Sequence, residues 1–329
     1  MKNPELSALE VELPGHQTHR GKPFPSVFRC PKEEWNLDDT LGWADRHREE
    51  LECLANEYGV ILFQGFPVGS DLDFDAFIRA FKFPAFKYSE SLSNAVRTNR
   101  TELVFTANEA PGDVTIPLHH EMAQTPVYPS KLFFYCEKAA EEGGETPVCR
   151  SDVLFEKLSR ELPAFAKDCE EKGLKYTNVM PGENDLASGL GRSWKDTFSV
   201  SNQQDAELRM QKLGYSWEWQ TDGSLRATTP VLQAVKGLPD GRKTFFNQLI
   251  AAFQGWKDAR NAQEKAIKLG DGSPLQRETV EEIANLAEGI TFDVPWRAGD
   301  IALVDNYVAM HGRRTFKGSR RVLASLVAS

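Results

Sequence analysis

The stretch Gly299-Asp-Ile-Ala-Leu-Val-Asp-Asn-Tyr-Val-Ala-Met-His311 has the pattern of two short strands joined by a turn. A Gly-Asp pair begins it, Asp305 and Asn306 interrupt the apolar run, and a second apolar run leads to His311. Short apolar runs that are broken by turn residues are typical of antiparallel β proteins. The stretch therefore predicts a β framework with a histidine on one of its strands.

Similar short runs recur along the chain, whereas regular alternation of strands and helices, which a doubly wound sheet requires, does not. The pattern favours a β-sandwich or barrel. Further strands are predicted at 102–105, 116–122, 131–136, 174–179, 216–220, 231–235, 243–247 and 321–327. Helices are predicted at 37–58, 71–82, 151–172, 204–213, 258–268 and 276–287, and residues 1–30 are expected to run extended over the surface.

No linker-like composition separates the later helices from the strands. We therefore expect one domain, 1–329, with helical insertions at about 151–213 and 258–287.

The composition limits the class of protein. The 329 residues are 40% hydrophobic and 26% charged, which is ordinary for a globular protein. A formal net charge of −9 argues against binding of nucleic acid. Five cysteines without C-x-x-C spacing indicate reduced thiols, and no signal peptide or apolar span is apparent. We expect a cytoplasmic protein with a small-molecule substrate and no nucleic-acid or membrane partner; the oligomeric state is open.

Two of the six histidines are adjacent, in Ile116-Pro-Leu-His-His-Glu-Met122. In a strand, residues two apart share a face, so His119 and Glu121 would point together and His120 away. With His311 they would complete a 2-His-1-carboxylate triad, which is typical of non-haem Fe(II) oxygenases. Two interpretations without a metal remain open. His119 and His120 could be polar residues on a half-exposed strand, and His311 could be a hydrogen-bonded histidine of the core.

Three other candidate motifs for metal or nucleotide binding are either wrongly placed or incomplete. His47-Arg48-Glu49 repeats the triplet, but it lies in a predicted helix, where residues two apart diverge by roughly 200°. Gln124 replaces the second histidine of a zinc-protease motif that would start at His120, and Trp194 replaces the third glycine of a dinucleotide motif.

A basic stretch near the C-terminus offers cations that could bind an anionic ligand of the metal. Its residues are Arg313, Arg314, Lys317, Arg320 and Arg321. A 2-oxo acid that chelates iron needs a cation for its far carboxylate, and arginine matches a carboxylate with two parallel hydrogen bonds. Arg321 begins the last predicted strand ten residues after His311, so a hairpin would return it beside the metal.

Several segments resemble the TauD/TfdA family of Fe(II)- and 2-oxoglutarate-dependent dioxygenases, and most closely its clavaminate synthase-like members. The segments that carry the resemblance are 59–67, 104–109, 116–124, 130–137, 143–147 and 296–326. The resemblance implies a mainly β fold, the double-stranded β-helix or jelly roll, with helical insertions. It also implies His119, Glu121 and His311 as iron ligands, and Thr146 with Arg321 as the site for 2-oxoglutarate.

Two departures bear on the substrate. Glu121 stands where taurine dioxygenase has aspartate, and glutamate is the ligand in clavaminate synthase and similar amino-acid oxygenases. Ser325, four residues after Arg321, stands where taurine dioxygenase has an arginine for the sulfonate.

The predicted function is therefore oxidation of an unactivated C–H bond in a small, amino-acid-like or carboxylate-bearing molecule, with Fe(II), 2-oxoglutarate and O2 and release of succinate and CO2. Hydroxylation, desaturation and cyclisation all remain open as outcomes. The candidate substrate contacts are Asn108, Glu109, Arg313 and Arg314. The alternative is a non-catalytic jelly-roll protein that binds a metal or a small molecule.

Overall fold

A computed structural model describes residues 6, 9–31, 34–88, 91–93, 95, 97–108, 110–185, 188, 190–256, 258, 260–261 and 265–328. The strands are β1 Gln17–His19, β2 Lys22–Phe24, β3 Ser26–Arg29, β4 Val60–Gln64, β5 Phe105–Thr106, β6 Ile116–His119, β7 Lys131–Lys138, β8 Glu142–Gly143, β9 Thr146–Arg150, β10 Leu174–Met180, β11 Ser216–Trp219, β12 Leu225–Thr228, β13 Lys236–Gly237, β14 Lys243–Thr244, β15 Ile267–Leu269, β16 Thr291–Val294, β17 Ile301–Asp305, β18 Ala309–Arg313, β19 Phe316–Lys317 and β20 Arg321–Val327. The helices are α1 Leu37–Tyr58, α2 Asp71–Ala80, α3 Ser151–Glu161, α4 Pro163–Lys172, α5 Trp194–Phe198, α6 Gln203–Leu213, α7 Leu249–Gly255 and α8 Arg277–Glu288.

Two sheets form the framework. The larger has the strand order β3-β4-β17-β7-β20-β5 and the smaller has the order β16-β9-β18-β6. Alternate side chains of both sheets meet in a shared core, for example Leu62, Phe134 and Val322 from the larger sheet and Val148 and Phe292 from the smaller. The predicted mainly β class with helical insertions is confirmed, because the strands predicted at 131–136, 301–305 and 321–327 all lie in the larger sheet.

The two long N-terminal helices cover the other face of the larger sheet. Trp43 of α1 and Phe74 and Phe77 of α2 pack against Phe63 and Leu323, which alternate with the residues of the shared core. Each helix begins at a capping side chain: Asn36 Oδ1 accepts the Asp39 N–H at 3.0 Å, and Ser70 Oγ accepts the Asp73 N–H at 3.1 Å. The two helices therefore bury the face of the larger sheet that points away from the shared core.

A third sheet, with the order β11-β12-β10-β15, lies in the region of the predicted insertions. Its strands β10 and β15 and the helices α3, α4, α7 and α8 share an apolar core that includes Met310 of β18 and Leu118 of β6. This packing ties the inserted region to the two strands that carry the candidate histidines.

Four expectations about the secondary structure are corrected. The predicted helix 151–172 divides at Leu162, because Pro163 starts a new helix. The described part of 258–268 contains no helix, and β15 begins at Ile267. In 231–235, Leu232 forms only an isolated bridge with Leu174. Within residues 1–30, β3 is a buried parallel strand at the edge of the larger sheet. No described helix is long and apolar enough to cross a membrane.

Candidate active site

The two candidate histidines are neighbours across the smaller sheet. β18 pairs with β6 in an antiparallel register that sets His311 directly opposite His119. Side chains of directly opposite residues lie on one face of the sheet, and the ring centroids of these two are 4.4 Å apart. Strand pairing thus brings together two residues that are far apart in sequence.

Glu121 reaches the same point from a turn and not from a strand. β6 ends at His119, and Met122 has a left-handed φ of 57°. Asn306, in the turn between β17 and β18, holds this segment: the Glu121 N–H donates to its Oδ1 at 2.7 Å, and its Nδ2 donates to the Glu121 carbonyl at 3.0 Å. The prediction that a strand aligns Glu121 with His119 is wrong in detail, although the two side chains do converge.

His120 turns away from this point. Its Nδ1 is hydrogen-bonded to the Asn306 carbonyl, and its ring lies 4.8 Å from that of Phe246. His47 is buried against Trp43 in α1, with ring centroids 5.6 Å apart. Both placements agree with the separation of these histidines from the candidate metal site.

The three side chains fit a divalent metal. One ligand atom each from His119, Glu121 and His311 lie within 4.8 Å of one another. Since His119 Nδ1 is 2.8 Å from the Pro117 carbonyl, its Nε2 is the nitrogen left to bind a metal. Burial, with the neighbouring His311, lowers the pKa of His119 to about 4. Although burial disfavours its charge, Arg97 and the histidines keep the pKa of Glu121 below its usual value. Neutral imidazoles and an ionised carboxylate are the donors that Fe(II) takes in a facial triad.

A cationic lobe opens on one side of the three residues. Thr146, at the start of β9, and Arg320, just before β20, line it together with Phe134 and Val322. Arg320 Nη2 lies 3.4 Å from Thr146 Oγ1, which also accepts the indole N–H of Trp296 at 2.8 Å. Burial, followed by the charge of Arg313, lowers the pKa of Arg320 to about 10, so the guanidinium stays charged at neutral pH. Among the described carboxylates none forms an ion pair with Arg320.

The assignment of Arg321 to this lobe is wrong. Side chains alternate along β20, so Val322 faces the core between the sheets and Leu323 faces the helices. The pairing of β20 with β7 shifts between Arg321 and Val322, and Arg321 is 56% exposed and forms an ion pair with Glu137, two residues after Tyr135 on the helix side of β7. An error of one position moves a strand residue to the opposite face, and Arg320 is the residue in the lobe.

The four candidate substrate residues separate. Asn108 lines the cavity, and Glu109 lies outside the described residues. Arg313 also borders the cavity, but its guanidinium donates to four carbonyls between Asn108 and Val114 at 2.7 to 3.2 Å. Arg314 is wrong as a substrate contact because it pairs with Glu288 and Asp293 away from the cavity.

A second lobe also borders His119 and Glu121, and no sequence motif indicates most of its lining. Its walls combine amide and apolar side chains, namely Asn108, Gln124, Gln248, Ile116, Leu190, Ala251 and Trp256. Arg97 borders both lobes and donates from Nη2 to Glu121 Oε1 at 2.9 Å. No motif surrounds Arg97, and only the folded chain places it beside Glu121.

Known proteins are similar to this chain over most of its length. Residues 21–326 match the family described as taurine catabolism dioxygenase TauD, TfdA family. A clavaminate synthase-like protein of Arabidopsis thaliana is 40% identical over 98% of this chain and 99% of its own length. The dapdiamide synthesis protein DdaC of Enterobacter agglomerans is 26% identical over 93% of this chain and 92% of its own.

Solved structures show the same fold. AAD-2 in complex with Mn(II) and N-oxalylglycine has a TM-score of 0.52 at 15% identity, covering 92% of this chain and 93% of its own. PvcB of Pseudomonas aeruginosa has a TM-score of 0.51 at 13% identity, covering 92% of this chain and 85% of its own.

The jelly-roll fold and the class of the protein follow: it is a non-haem iron dioxygenase that uses Fe(II), 2-oxoglutarate and O2. The chain belongs to the TauD/TfdA family.

Proposed function

We propose that His119, Glu121 and His311 hold the iron, and that Arg320 with Thr146 binds the far carboxylate of 2-oxoglutarate. The convergence of the three ligand atoms within 4.8 Å carries the proposal. The lobe with Arg320 supports it, because this half-buried cation faces a cavity directly beside those ligands. A non-catalytic binding protein would have no need of such a carboxylate site next to an iron triad.

Iron with bound 2-oxoglutarate supplies the oxidising chemistry, in which O2 converts the co-substrate to succinate and CO2 and a C–H bond of the primary substrate is oxidised. The chain fixes the geometry. Asn306 holds the backbone on both sides of the Glu121 side chain, and the Pro117 carbonyl sets the ring of His119. Phe134 lines the cavity and packs against His311, with the two ring centroids 5.1 Å apart.

For the primary substrate we propose a small amino-acid-like or carboxylate-bearing molecule, bound in the second lobe. The lobe is small, about 90 Å³, and its amides Asn108, Gln124 and Gln248 supply neutral hydrogen-bonding groups. The glutamate ligand, by likeness to amino-acid oxygenases, supports the same class. With Arg320 in the lobe, the position four residues later is Ala324, which offers no charge for a sulfonate.

The test is succinate release under air with Fe(II), ascorbate and 2-oxoglutarate, screened over amino acids and small carboxylates. We expect one or more compounds to stimulate release in the wild type and none to do so in His311→Ala. His47→Asn, which changes a histidine in α1 outside the site, serves as the matched control. Succinate release by His311→Ala at the wild-type rate would refute the assignment.

A further inference from the structure

Arg97 is a buried cation held in a fixed position beside the iron ligands. Its side chain is 8% exposed, and Nη2 donates to Glu121 Oε1 at 2.9 Å. The guanidinium carbon lies 4.9 Å from the ring centroid of Tyr88 and 5.4 Å from that of Phe105. The two rings and the ion pair leave the guanidinium little freedom to move.

Arg97 has hydrogen-bonding capacity that the described residues do not use. Its Nε is buried without a hydrogen-bond partner, and among the described residues the guanidinium forms one hydrogen bond, from Nη2 to Glu121. A buried donor without a partner costs stability, so such groups in native proteins call for a ligand or an ordered water. Arg97 lines the second lobe, so a substrate bound there would lie against this side chain.

Two neighbouring arginines, Arg192 and Arg313, use their N–H groups to bind backbone carbonyls. Arg192, which stacks on Tyr88 at 5.2 Å, donates to the carbonyls of Ser91, Ser93 and Asp196. Arg313 is bound to the loop that begins at Asn108. Among the described residues that line the second lobe, Arg97 is therefore the cation with donors to offer.

The charges around the loaded site are balanced before a substrate binds. The charges of a ferrous ion and 2-oxoglutarate cancel, Glu121 offsets Arg97, and Asp113 and Glu145 act on Arg313 and Arg320. A substrate carboxylate would therefore be held by hydrogen bonds from Arg97 and not by a general excess of positive charge. Glu121 Oε2, 3.5 Å from His311 Nε2, is the oxygen on the metal side, while Oε1 stays with Arg97.

We propose that Arg97 recognises a carboxylate of the primary substrate through its unused N–H groups, while Nη2 keeps Glu121 bound to the iron by one oxygen. The proposal rests on the proposed function and sharpens it, since it makes a free carboxylate a requirement for binding. It replaces Arg313 and Arg314, which the sequence had suggested for this role.

The experiment compares the common L-amino acids with their C-terminal amides as probes. Each is titrated without O2 into protein loaded with Fe(II) and 2-oxoglutarate, and binding is read from the shift in Tm and from the change in the metal-to-ligand charge-transfer band. We expect at least one free acid to shift both, and its amide to bind at least about tenfold more weakly.

Variants assign that preference to Arg97. Arg97→Gln should weaken the acid about 10- to 100-fold and remove the preference over the amide, and Arg97→Lys should restore part of it. Arg100→Gln is the matched control, because Arg100 pairs with Asp71 and Glu137 on the surface. If Arg97→Gln does not fold, the affinity of Arg97→Lys for the acid and the comparison of acid with amide in the wild type test the proposal instead.

Three results would overturn the proposal: equal binding of acid and amide, full affinity of the acid for Arg97→Gln, or no response of the wild type to any acid while its charge-transfer band is present. A wild type without that band would instead contradict the proposed function.

Discussion

Replacement of Arg320 by glutamine tests the site for 2-oxoglutarate. Arg320 borders the lobe with Thr146 and donates from Nε to the Gly144 carbonyl at 2.8 Å, which leaves the Nη side for a carboxylate. Truncating one partner of a buried charge pair costs about 3 kcal/mol, or about 100-fold in affinity. We expect the KM for 2-oxoglutarate to rise by about that factor, with a much smaller change in kcat.

The same variant has a stability signature. Without 2-oxoglutarate the half-buried charge of Arg320 forms no ion pair with a described carboxylate, and its partial burial already lowers its pKa to about 10. Its removal should therefore leave the stability of the unliganded protein within about 1 kcal/mol of the wild type. The stabilisation that 2-oxoglutarate gives the wild type should be lost.

The assay is succinate release over a range of 2-oxoglutarate concentrations, with Tm measured with and without 2-oxoglutarate. Arg321→Gln is the matched control: it removes the neighbouring arginine, which is 56% exposed and pairs with Glu137. We expect its KM to equal that of the wild type. A raised KM in Arg321→Gln together with an unchanged KM in Arg320→Gln would show that the face assigned to each arginine is wrong.

Three further predictions concern the residues around the site. Asn306→Ala removes a fully buried side chain that makes three hydrogen bonds to Glu121 and Pro129, so chemical denaturation should show a loss of about 3 kcal/mol and calorimetry a weaker affinity for Fe(II). His119→Ala should abolish Fe(II) binding, whereas His120→Asn should retain it, because His120 faces Phe246; equal losses in calorimetry would contradict the geometry. Burial raises the pKa of Asp305 from 3.8 to about 6, so the folded state holds this proton more tightly than the unfolded chain, and stability should fall by up to about 3 kcal/mol between pH 4 and 6; a pH series of unfolding curves should show this component in the wild type and not in Asp305→Asn.

Several strands of the two main sheets were predictable because their signal is local, but β9 and β16 of the smaller sheet were not among the predicted strands. The run from Ile301 to Asp305 is apolar and ends in turn residues, and the structure gives a strand with those bounds. The segment around Ile267 could not be predicted, because the short sequence Ile267-Lys-Leu269 fits either a helix or a strand, and only pairing with β10 decides.

The two histidines of the site were predictable from the sequence, but the arginine that enters the first lobe was not. His119 and His311 converge as expected, but the signal for Arg321 was only its distance from His311, and a shift of one residue reverses the face. Arg97 carries no signal at all, because its position beside Glu121 depends on contacts between distant segments. Long-range packing, and not local sequence, completes the site.

The most direct measurement is a crystal structure of the protein loaded with Fe(II) and 2-oxoglutarate in the absence of O2, with the iron located by anomalous scattering. We predict one iron bound by His119, Glu121 and His311, with the far carboxylate of 2-oxoglutarate against Arg320 and Thr146. An iron peak away from those three side chains, or a carboxylate held by Arg321, would contradict the account.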